Sequence, residues 1–150
     1  MMLSTMDGSM ADQILVGGGA SLANLFIHAM LLGAIAWLVH RLRMADGFFP
    51  GFLQYTFVIV ATGTLLVAGH FVEVILWAYV YAMVGAVPPG TDLVYFSFGN
   101  YTTLGYGDVV PVPQWHLLGP ITALNGVMLI CWSTAVIFEI LRRSAPPQKH

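Results

Sequence analysis

No lysine or arginine interrupts three long apolar stretches of this chain, roughly Ala20–His40, Phe52–Val87 and Trp115–Leu141. A helix needs roughly 20 apolar residues to cross the hydrocarbon core of a bilayer, so each stretch reads as a membrane span. The first can begin before the Gly17-Gly18-Gly19 run. The second is longer than one crossing requires, and is expected to tilt or to project beyond the membrane. The sequence is 58% hydrophobic and 8% charged, far from the roughly 25% charged residues of soluble domains. Lipid, not water, is the solvent such a composition suits. A length of 150 residues fits one domain.

The charges fall on two sides. All five basic residues, Arg41, Arg43, Arg142, Arg143 and Lys149, follow the first or the third span. The positive-inside rule makes both places cytoplasmic. The N-terminus and the segment between spans two and three are then outside, with Asp7, Asp12, Asp92 and Asp108. Residues Met1–Gln13 hold no Lys or Arg, so the basic start of a secretory signal peptide is missing. A net charge of −2 gives no reason to expect nucleic acid. One cysteine, Cys131, excludes an intrachain disulfide and reads as a small core residue.

The segment between spans two and three is distinctive. Pro88-Pro89-Gly90 breaks the chain, and Thr91 or Asp92 can cap a new helix. Leu93–Tyr101 is apolar but too short to span. Thr102–Asp108 then reads TTLGYGD, and Pro111 and Pro113 are expected to stop further regular structure. Irregular backbone at membrane depth is tolerated only where protein buries it or where it lines an aqueous path. Two glycines around one tyrosine allow an extended strand with alternating conformations closed to other residues. Such a strand can aim successive carbonyl oxygens to one side. Four copies around an axis would stack rings of oxygen able to replace the water shell of a monovalent cation.

The stretch Asn100–Pro111, with its TTLGYGD core, closely resembles the pore signature of potassium channels. The resemblance implies an all-α membrane protein: three transmembrane helices, a re-entrant pore helix and an extended selectivity filter, assembled as a homotetramer because the chain holds one loop. It implies K+ sites at the carbonyls of Thr103, Leu104, Gly105 and Tyr106 with the Thr103 hydroxyl, Gly107 completing the strand, and no other cofactor. Thr102 would tie the filter to the pore helix. Tyr106 would point away from the axis against aromatic residues, with Tyr95 and Phe96 supplying that packing. Asp108 would add negative charge at the outer mouth. Leu104 stands where Val is commoner, Gly99 replaces an acidic partner for Asp108, and Phe96 cannot donate the hydrogen bond a Trp gives that Asp. A different set of contacts is therefore expected to brace the filter.

By the same resemblance, residues 51–143 form the pore domain, 1–50 hold an extra helix and a cytoplasmic loop, and 144–150 are a short cytoplasmic tail. A prokaryotic inner membrane is the expected location. No soluble ligand-binding domain is expected after Leu141. The third span resembles a pore-lining inner helix, interrupted at Gly119, Asn125 and Gly126. Gly126 is either a hinge or a site of close packing. Ser133 and Thr134 face a cavity or bond back to their own helix. Glu139 pairs with Arg142 or Arg143 on the helix surface. Trp37 and Trp115 read as interface anchors.

The first span carries no Lys or Arg in its apolar core, so it is not a voltage sensor. His28 on that span, with His70 and Glu73 three apart on the second, are the costly residues. Ionisable groups inside a membrane are functional by default. At least one hydrogen-bonded pair among them is expected to join spans one and two. A structural contact is preferred to a proton sensor, and spacing alone argues only weakly for a metal.

The leading function is passive K+ conduction. Its rivals are a weakly selective monovalent cation channel, a transporter subunit, and a non-conducting membrane sensor using the intramembrane His and Glu. An intact GYG in a single loop counts against the transporter. No nucleophile–base pair at recognisable spacing suggests an enzyme, and His116 reads as interfacial.

Overall fold

The structure, a computed structural model, describes residues 8–44 and 51–144. Asp7, Lys149 and the 145–150 tail lie outside the described residues, as do the side chains of Arg43 and Arg143. Among these residues four α-helices follow in order: α1 (Met10–Met44), α2 (Gly51–Val84), α3 (Leu93–Tyr101) and α4 (Leu118–Ser144). No strand occurs among the described residues. Three helical segments, Met10–Leu42, Phe52–Val84 and Pro113–Arg142, are long and apolar enough to cross a membrane.

Helix α1 begins ten residues before the apolar run that announced it. Ser9 and Asp12 explain this. The Asp12 N–H donates to Ser9 Oγ at 3.2 Å, and the Ser9 N–H donates to the Asp12 carboxylate at 3.2 Å. This reciprocal arrangement satisfies donors that a helix start otherwise leaves open. The glycine run does not break the helix. At Gly17 a Cβ would lie 2.8 Å from Ile121 Cδ1, so the glycine lets α4 approach.

Helix α2 stops at Val84, not Val87. Gly85 takes a φ of +62°, and the Ala86 N–H reaches back to the Tyr81 carbonyl at 3.0 Å. This is a Schellman closure, which glycine permits at little cost. Helix α3 has the expected bounds. Asp92 caps it, accepting from the Val94 and Tyr95 N–H groups, each at 3.0 Å. Pro113 starts structure where it was expected to stop it: Pro113–Trp115 is a single 3-10 turn, and proline's fixed φ suits the first position of a helix.

Helix α1 packs against both α2 and α4. At one end the Gln13 carboxamide accepts the Leu117 N–H at 2.8 Å, and the Val112 N–H donates to the Ala86 carbonyl at 2.8 Å. At the other end the Gln54 amide donates to the Leu42 carbonyl at 2.8 Å. Trp115 is buried with Trp77, Tyr81, Phe96 and Leu118, so it is a core residue and not an interface anchor. Trp37 remains exposed, with the Arg41 guanidinium 5.2 Å from its ring centre. Cys131 is exposed on α4, contrary to its reading as core, because α1 and α2 cover a different face of that helix.

Helix α4 is continuous from Leu118 to Ser144, so Gly119, Asn125 and Gly126 do not interrupt it. A Cβ on Gly126 would overlap the Tyr101 carbonyl oxygen. That contact accounts for the glycine by packing. Gly126→Ala is expected to lower the stability of the detergent-solubilised protein by about 1–3 kcal/mol, the usual range for overpacking. Gly63→Ala, where nothing lies within 4 Å, should be near neutral. Thermal unfolding of the two variants checks this.

Candidate functional site

Two features converge at the buried end of α3. The first is the TTLGYGD loop. Thr103, Gly105 and Gly107 have φ of +61°, +43° and +78°. The residues between them do not, so backbone handedness alternates along the loop. Sequence reasoning assigned this freedom to the glycines alone. Thr103 shares it, although a β-branched residue in that region is strained by about 1–3 kcal/mol. The Thr103 hydroxyl donates to the Thr102 carbonyl at 2.6 Å, which leaves its lone pairs free. Thr102 donates its hydroxyl to the Phe98 carbonyl at 2.7 Å, tying the loop to α3.

The aromatic bracing differs from expectation. Tyr106 is 71% exposed and Leu104 is 57% exposed, and the Tyr106 ring makes no aromatic pair within the described chain. Phe96 turns inward instead and meets Tyr81 edge-on, with ring centres 4.9 Å apart. Tyr95 takes the polar role: its hydroxyl donates to Asp108 Oδ2 at 3.0 Å. The Gly105 N–H donates to the Gly99 carbonyl at 3.1 Å, so Gly99 supports the loop through its backbone.

The second feature is a polar cluster drawn from all four helices. His28 Nδ1 lies 2.8 Å from Glu73 Oε1, joining α1 to α2. His70 Nδ1 lies 2.9 Å from Glu73 Oε2. The Tyr101 hydroxyl, from the last residue of α3, donates to the same Oε2 and sits 2.8 Å from His70 Nδ1. Ser133 Oγ on α4 lies 3.0 Å from His70 Nε2 and 3.4 Å from His28 Nε2. Ser133 therefore neither faces a cavity nor bonds back to its helix, whereas Thr134 does bond back, to Ile130 at 3.0 Å. The side chains of His28 and Glu73 are fully buried and that of His70 is 20% exposed. A second layer adjoins the cluster: the Trp77 indole N–H and the Asn24 amide both donate to Asn125 Oδ1, at 3.0 and 3.1 Å. Glu139 and Arg142 pair separately at 2.8 Å.

Tyr101, Ser133, Asn24 and Asn125 were not joined to the cluster by sequence reasoning. Tyr101 looked like the apolar end of a short helix, and only the fold brings it to Glu73. Tyr95 was named for aromatic packing; its polar role was recoverable, because its phenol is the donor that Phe96 lacks.

The chain matches the family model of ion channels over residues 69–143, half of its length. It belongs to the ion channel family, and its three apolar helices fit an integral membrane protein. The match begins within α2 and leaves α1 outside. Searches of curated proteins and of solved structures returned no match.

The Tyr95–Asp108 bond ties the loop to a titratable phenol. The bond from Tyr95 to Asp108, then desolvation, then the charges of Asp108 and Tyr106 hold the Tyr95 phenol above its ordinary value of 10.0. Because the folded pKa is raised, the bond is intact at neutral pH and is lost as pH rises through the folded value. Tyr95→Phe should remove this alkaline transition. Hydrogen exchange of the Gly105 and Gly107 amides across that pH range is the measurement.

Proposed function

We propose that four copies of this chain form a potassium-selective channel that conducts K+ passively through the Thr103–Gly107 strands. The observation that carries the reading is the alternating backbone of Thr103, Gly105 and Gly107 in a member of the ion channel family. A strand that alternates handedness directs its carbonyls to one side. Four strands then offer rings of oxygen in place of a hydration shell, and ions advance by displacing one another between adjacent sites. Thr103, Leu104, Gly105 and Tyr106 supply the carbonyls, and the free lone pairs of the Thr103 hydroxyl add the innermost ligands.

Helix α3 is the pore helix. Its C-terminal carbonyls, the negative end of its dipole, lie next to the inner end of the strand. Residues 51–143 are the pore domain, α2 being the outer helix and α4 the inner helix. Helix α1 is an addition to that domain. The strand and the Asp12, Asp92 and Asp108 end face outward, and the Arg41 and Arg142 end faces the cytoplasm, by the positive-inside rule. A prokaryotic inner membrane suits this topology.

A second reading, a weakly selective monovalent cation channel, rests on the bracing of Asp108 by Tyr95 alone, with no side chain at Gly99. Purified protein in liposomes distinguishes the two. The expected result is K+ flux with little Na+ flux, abolished by Gly105→Ala, which forces a Cβ onto a left-handed backbone. A bi-ionic reversal potential near zero would select the weakly selective channel. Absence of any flux from correctly assembled protein would remove both.

A further inference from the structure

We propose that His28, His70 and Glu73 form a binding site for a divalent transition-metal ion, with zinc the ion their donor set fits and a fourth position left for water. One donor atom from each of the three residues can be chosen so that all lie within 4.8 Å of one another. Imidazole nitrogen and carboxylate oxygen are ordinary zinc ligands, and two His with one Glu make a recurrent zinc set. His28 Nδ1 and His70 Nδ1 approach opposite oxygens of one carboxylate, at 2.8 and 2.9 Å. The Tyr101 hydroxyl donates to Oε2 and so orients the carboxylate from outside the donor set. Tetrahedral zinc with bonds of about 2.0–2.2 Å spaces its donors roughly 3.3 Å apart. The His–Glu pairs open slightly, and the remaining donor separations, which are within 4.8 Å, draw in around the ion.

The outer contacts point the same way. A ligating His almost always donates its other ring N–H to an acceptor that fixes the ring. Here both far nitrogens face one atom, Ser133 Oγ, at 3.0 and 3.4 Å. A hydroxyl oxygen has two lone pairs, so it can accept both Nε2–H groups. With the metal on both Nδ1 atoms, each ring is neutral and every cluster nitrogen has a partner. Two neutral rings without a metal do not close this way. If both donate Nδ1–H to Glu73, two Nε2 lone pairs face Ser133, and its single hydroxyl proton serves one of them. The ion also offsets a carboxylate charge that is costly at membrane depth. Its ligands come from α1 and α2, so it fastens the added helix to the family region, and Glu73 in turn holds Tyr101, the residue before the TTLGYGD loop.

The test uses full-length protein in nanodiscs, stripped with a chelator and dialysed against zinc alone. Metal content by mass spectrometry should reach one ion per chain, and cobalt in its place should give the visible bands of four-coordinate cobalt. His70→Ala should weaken zinc binding at least 100-fold. Ser133→Ala, which removes one oxygen and leaves the packing, should weaken it about 10–100-fold, as loss of an outer-shell partner does. His116→Ala, exposed and outside the cluster, should bind as wild type does. Folded wild-type protein that takes up no zinc at low micromolar concentration would overturn the proposal. So would zinc binding that is undiminished in both His70→Ala and Ser133→Ala.

Discussion

The carboxylate of Glu73 is the constraint around which the helices are arranged. It sits fully buried in a helix whose surroundings are apolar, where an unsatisfied charge costs several kcal/mol. Its partners come from three helices, and Ser133 extends the chain of contacts to the fourth. Helices in lipid gain little from hydrophobic burial against one another, so polar contacts and close backbone approach carry the association. Both are present at the same level. The Asn24–Asn125–Trp77 layer adjoins the Glu73 cluster, and Gly126 lets the end of α3 rest on α4.

This arrangement explains how α1 can lie outside the ion channel family match and still be integral to the chain. It does not sit on α2 and α4 through an apolar stripe alone. His28 and Asn24 enter the shared polar interior, Gln13 holds the turn before α4, and Gly17 removes the bulk that would keep α1 away. The added helix brings Glu73 Oε1 and Asn125 Oδ1 partners from outside the family region.

The sequence made much of this legible, for specific reasons. Apolar length identified three spans. Pro-Pro-Gly followed by a capping Asp located α3 at Leu93–Tyr101, because strong local signals lie at its start. Signals that are weak in one dimension were lost. The Ser9–Asp12 cap precedes any apolar run, and the Gly85 closure lies inside one. Trp115 could not be separated from an interface residue, because burial depends on what packs over it. The His28–His70–Glu73 association was legible because charge in an apolar run is conspicuous. Tyr101 and Ser133 were not, because a hydroxyl among apolar neighbours is common and only three-dimensional proximity gives it a partner. Position 96 was rightly read as unable to donate to Asp108, but the donor one residue earlier was not seen: Tyr95 points to the loop and Phe96 to the core.

The exposure of Leu104 and Tyr106 carries a consequence of a different kind. Two large side chains flank Gly105 with little of their own chain against them, and Thr103 holds a strained backbone beside them. Under the four-chain reading, neighbouring subunits supply the missing contacts. Mass action then governs the loop: anything that binds the ordered form, including another subunit or an ion between the strands, adds its binding free energy to that form. The order of these seven residues becomes a property of protein and cation concentration, while the helices behind them are already fixed within each chain.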